Sequence, residues 1–116
     1  MTEVEYEINS YGIHIFSRQP ESQKPVLAVI TLWYEDTVRG YMHFYPDNIQ
    51  LPNPSFNPDK EVIRLRYHYS QLHSIVDILR AEKPLFIEYS SHPPTAILRT
   101  EKEPIGEEEK LFLPKE

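Results

Sequence analysis

The sequence predicts an α+β fold: a mostly antiparallel, twisted sheet of about six to seven strands with one packed helix near 71–82. Three observations carry this. Most apolar positions alternate with polar ones at a period of two, the pattern of half-buried strands. One window alone changes to the helical period, with Leu72, Ile75, Val76 and Leu79 at i, i+3, i+4 and i+7. Turn formers and prolines separate the alternating segments.

Val4, Tyr6 and Ile8 alternate with Glu3, Glu5 and Glu7, giving a first strand. Asn9-Ser10-Tyr11-Gly12 reads as a turn, and Ile13 to Ser17 as the second strand of a hairpin. Arg18 to Pro25 is polar, holds two prolines, and reads as a loop. Val26 to Tyr34 is nearly continuous in branched and aromatic residues, as in a strand covered on both faces. Glu35-Asp36-Thr37 is a short break, and Val38 to Tyr45 returns as a second hairpin.

Pro46 to Lys60 holds four prolines, too many for a regular element. It reads as an extended loop crossing one end of the sheet, pinned by Ile49, Leu51 and Phe56. Glu61 to Tyr69 alternates again. Ser70 reads as the helix N-cap, and Pro84 stops the helix. Leu85 to Ser90 and Thr95 to Thr100 form a third hairpin around Ser91-His92-Pro93-Pro94, with a cis bond possible at either proline. The order is ββ-ββ-β-α-ββ. Residues 1–100 read as one α+β domain, and 101–116 as an acidic, flexible tail.

The chain has 116 residues, enough for one real core without a metal or disulfide staple. It has no cysteine, which removes thiol chemistry and cysteine-ligated metals. A cytoplasmic setting is the expectation, because the first ten residues are acidic and no apolar run approaches the roughly 20 residues of a membrane span. The net charge of −6 is concentrated at the ends, in Glu3, Glu5 and Glu7 and in the glutamates after Thr100.

Catalytic signatures are absent from the sequence. Gly12, Gly40 and Gly106 lie too far apart for a phosphate cradle. The five histidines show no paired ligand spacing, and His73 with Asp77 reads as a solvated i,i+4 pair rather than a metal site. Glu35-Asp36 and Glu107 to Glu109 fall in expected exposed segments, and Glu88 reads as a solvent-facing strand residue. No metal, cofactor or catalytic residue is expected.

Two binding features stand out. Arg39, Tyr41, His43 and Tyr45 share one face of a strand, and Arg64, Arg66 and His68 share one face of another. Paired, these strands would make a basic, aromatic face suited to a dimer interface or to stacking single-stranded nucleic acid. Leu111-Phe112-Leu113 forms an apolar segment that suits docking on a partner or a sheet edge. The leading expectation is a non-enzymatic interaction protein, homodimeric or bound to another protein through the Tyr-rich face or an edge strand. The alternatives are a single-stranded nucleic-acid binder, disfavoured by the net charge, and a ligand-binding domain or enzyme with a pocket near the Pro-rich loop. No membrane partner is expected.

Overall fold

The computed structural model describes residues 2–18, 21–23, 25–102 and 105. The chain is mixed α+β, but its strands form two sheets rather than one. The elements are β1 (Glu3–Ile8), β2 (Ser10–Ile15), β3 (Ala28–Tyr34), β4 (Thr37–Tyr45), β5 (Ser55–Asn57), β6 (Val62–His68), α1 (Leu72–Ala81), β7 (Leu85–Ser91) and β8 (Pro94–Thr100). A five-stranded sheet runs β2-β3-β4-β6-β5, and a three-stranded sheet runs β1-β7-β8.

The expected first hairpin does not form. β1 pairs with β7 and β2 with β3, so the chain changes sheets at Asn9. Ser10, Tyr11 and Gly12 are strand, not turn. Asn9 fixes the corner: its Oδ1 accepts from the Glu35 amide at 2.9 Å and its Nδ2 donates to the Glu35 carboxylate at 2.9 Å. These bonds hold Glu35 at φ 55, a left-handed conformation that a non-glycine residue rarely adopts. Glu35 and Asp36 thereby close the β3–β4 hairpin between Tyr34 and Thr37.

The β7–β8 hairpin forms as the sequence predicts, with a cis peptide at His92–Pro93. Every pairing is antiparallel except β4 with β6, which is parallel. A parallel return needs a long crossover, and the Pro-rich segment supplies it. That segment also holds the short strand β5, whose three residues pair with β6. Asn57 Oδ1 accepts from the amides of Asp59 and Lys60 at 3.0 and 3.2 Å, an Asx turn that folds β5 back onto β6.

The helix starts differently from the reading of Ser70 as its cap. A 3₁₀ turn over Tyr69–Gln71 precedes α1. The Ser70 amide is the group satisfied, donating to Asp47 Oδ1 at 3.0 Å from the crossover. At the other end the Glu82 amide donates to the Ile78 carbonyl at 3.0 Å.

The core lies between the inner face of the five-stranded sheet and a layer made of the three-stranded sheet and α1. Ala28, Ile30, Leu32, Met42, Phe44, Ile63 and Leu65 meet Ile8, Leu85, Ile87, Ile75 and Leu79 there. Each large side chain removed from water contributes about 1.5–3 kcal/mol. The two sheets lie close at Gly40. A Cβ there would lie 2.6 Å from Ile87 Cδ1 and 3.2 Å from the Ile63 carbonyl oxygen, so any side chain would force its neighbours to shift.

Candidate interaction site

The pairing of β4 with β6 joins the two halves of the sequence-predicted face. Tyr41 lies beside Arg64, His43 beside Arg66, and Tyr45 beside His68. The Arg64 guanidinium sits 5.4 Å from the Tyr41 ring centroid, a cation–π contact. Arg66 Nη1 donates to the Tyr45 hydroxyl at 2.9 Å and approaches His43 Nδ1 at 3.4 Å. Burial pushes the His43 imidazole down to about 4, helped by the neighbouring Arg66 and Arg64 charges, so the ring is neutral at pH 7.

This face is partly covered. Arg66 Nε donates to the Asn53 carbonyl at 3.2 Å, and His68 Nε2 donates to the Ile49 carbonyl at 2.9 Å. Ile49 and Leu51 pack with Phe16 and Tyr41 onto a second apolar cluster of Val26, Val29 and Tyr45. The crossover therefore straps the face, pinned by Ile49 and Leu51. Phe56 anchors its far end on the inner side, with ring centroids 6.3 Å from Tyr6 and 6.0 Å from Tyr89.

Arg39 leaves the row. The β3–β4 register shifts between Leu32 and Trp33, so Leu32 faces Gly40 while Trp33 faces Val38, and Arg39 is the extra residue. Its guanidinium lies 4.6 Å over the Tyr6 ring and 3.3 Å from the Glu61 carboxylate. Of the three arginines expected on the face, Arg64 alone stacks there with no side-chain hydrogen bond among the described residues. Leu111, Phe112 and Leu113 lie outside the described residues.

The sequence reading missed two sites. Arg99 on β8 bridges Glu88 on β7 and Glu5 on β1, and its guanidinium covers the Phe86 ring at 4.5 Å. Glu5 and Glu88 stand directly opposite each other, and like charges so placed repel unless a cation neutralises them. The hydrogen bond that Arg99 donates to the Glu88 carboxylate, with the charges of Glu5, Glu88 and Glu101, raises the Arg99 pKa. Strand order is needed to see this cluster, because Glu5 is 94 residues from Arg99.

The second is the exposed edge at β2. Tyr11, Ile13 and Ile15 stand opposite Leu32, Ile30 and Ala28 and so share the inner face. Tyr11 packs at the margin of the core, and the second layer leaves the other two uncovered. Ile13 is 38% exposed and Ile15 59%. Beside Tyr11 a groove of about 880 Å³ opens between the Ile8–Tyr11 corner and the C-terminal end of α1 through Leu85. Ile78, on the same half of α1, is also exposed. The groove lies at the sheet corner, away from the Pro-rich crossover where a pocket was expected.

His73 and Asp77 stand 3.6 Å apart on α1, with Arg80 also on Asp77 at 3.4 Å. Among the described residues no three His, Cys, Asp or Glu side chains converge as a metal ion requires. Also among them, no helix is long and apolar enough to cross a membrane. Comparison with family models, with curated proteins and with solved structures gives no match. Function is therefore read from geometry alone.

Proposed function

We propose that this protein is a non-enzymatic interaction module that binds an extended chain segment along strand β2. The observation that carries the reading is a strand edge that is unpaired among the described residues, with exposed Ile13 and Ile15 on its inner face. An added strand gains main-chain hydrogen bonds along such an edge, and alternate side chains of the guest fill the space beneath. The adjacent groove offers that space.

The nucleic-acid reading draws less support. It needs free cations and open aromatic faces. Arg66 and His68 are bonded to crossover carbonyls, Arg39 to Glu61, and His43 is neutral. Tyr41 with Arg64 is what remains of that surface.

The two readings separate in one titration of isotope-labelled protein. Peptides alternating isoleucine with threonine should shift the amide resonances of Tyr11, Ile13 and Ile15. They should also change the emission of Trp33, whose ring lies against Gly12 of β2. An oligothymidylate should leave all four unmoved. Oligothymidylate binding at Tyr41 and Arg64 that weakens steeply with salt, or peptides without effect on β2, would overturn the reading.

A further inference from the structure

We infer that the strand taken up by β2 is β2 of a second copy of this chain, paired antiparallel about a two-fold axis at Ile13. The inference rests on the interaction reading above and names its partner and register.

The four sheet edges are not alike. Natural edges are blunted by charges, prolines or shortness, which discourage pairing with other chains. β1 carries Glu3, Glu5 and Glu7. β8 begins at Pro94 and carries Arg99. β5 is three residues long and lies between Pro54 and Pro58. β2, Ser-Tyr-Gly-Ile-His-Ile, holds no Asp, Glu, Lys, Arg or Pro. Its exposed face is apolar where a solvated edge would be charged. Such an edge is suited to being paired.

The backbone fixes which groups are free. The Phe16 amide donates to the Leu27 carbonyl at 3.0 Å, in line with the β2–β3 register. In an antiparallel ladder, alternate residues point their amide and carbonyl toward the same neighbour. Ser10, Gly12 and His14 therefore turn theirs to β3, and Tyr11, Ile13 and Ile15 turn theirs outward. Those three residues are symmetric about Ile13. A second β2 laid antiparallel with Ile13 opposite Ile13 sets Tyr11 opposite Ile15 on both sides of the axis. Every outward amide and carbonyl then meets an outward carbonyl or amide of the other copy. This is the self-complementary patch a two-fold dimer requires.

Side chains match the same register. Residues directly opposite share a face, so the two Ile13 side chains cover one another. Each Ile15 comes to lie beside the other copy's Tyr11, at the wall of the corner groove. On the outer face each His14 stands opposite a Gly12, where the absence of a side chain leaves the Trp33 ring as its neighbour.

The absence of cysteine makes the register directly testable. In this arrangement the two Ile13 Cα atoms stand about 5.5 Å apart, within disulfide reach. The two Ile15 positions are offset by four residues, roughly 13 Å along the strand. Mild oxidation of Ile13→Cys should give a covalent dimer, and Ile15→Cys alone should stay monomeric. Light scattering of the unsubstituted chain should give a mass that rises from monomer to dimer with concentration. A monomeric mass at every concentration, or faster linkage through Ile15→Cys than through Ile13→Cys, would overturn the inference. If the isoleucine–threonine peptides still bind in that case, the interaction reading stands and the partner is wrong. If they also fail, both readings fall.

Discussion

His43 shows how a residue picked out by sequence as a binding group is changed by its neighbours. It occupies the middle of the predicted face, yet burial and two arginines hold its pKa near 4, below its ordinary 6.5. The folded state therefore resists protonation while the unfolded chain accepts it. Below pH 6.5 the unfolded state binds more protons, so stability falls as pH falls, and the loss levels off near pH 4. The window from 6.5 to 4 corresponds to about 3 kcal/mol for a fully buried ring, and the part of the ring left exposed lowers this to roughly 2 kcal/mol. Urea titrations of the unsubstituted chain and of His43→Gln should diverge across that window, with the variant lacking this part of the acid sensitivity. Equal slopes with pH would show that His43 is protonated in the folded protein. The basic, aromatic character of the face was legible in Tyr41, His43, Arg64 and Arg66. The neutrality of His43 was not, because it depends on burial and on Arg66 and Arg64, which the fold brings beside it on another strand.

The elements were legible where one period ran uninterrupted. α1 and both hairpins after β2 follow from alternation and turn chemistry, whereas the parallel pairing that sets Tyr41 beside Arg64 does not. The first hairpin failed because Asn9 and Ser10 carry turn composition while Asn9 is bonded to Glu35, a partner far along the chain. β5 was hidden by the prolines around it. The bulge at Arg39 left no mark in the alternation, so the arginine was assigned to the wrong company. Gly40, just after that bulge, is the element-level feature with the sharpest consequence. The sheets meet there across a space that takes a Cβ only if Ile87 and the Ile63 carbonyl shift. Gly40→Ala should destabilise the fold by about 1–3 kcal/mol, the usual range for overpacking. Ile87→Val removes the Cδ1 atom that collides with the new methyl. In a double-mutant cycle, Ile87→Val should therefore cost less beside Gly40→Ala than alone. Additive costs would place the strain at the Ile63 carbonyl instead.

Across the whole molecule, charge and edges are distributed together. The three glutamates of β1 guard one edge of the smaller sheet and are tied in part to Arg99, whereas β2, an edge of the larger sheet, carries no Asp, Glu, Lys or Arg. If β2 closes on a second copy, folding and association become one equilibrium. Anything that binds only the native state raises stability with its concentration, and here that ligand is the protein itself. The thermal midpoint of the unsubstituted chain should then climb with protein concentration. Ile15→Lys places a charge at an already exposed position, so the isolated fold should change by no more than about 0.5 kcal/mol. In the dimer the same lysine is pressed against the other copy's Tyr11 at the groove, where its ammonium loses water. The variant should match the unsubstituted midpoint at high dilution and fall below it as concentration rises. A constant gap at all concentrations would mean that Ile15 stabilises the single chain, and that β2 meets no second copy.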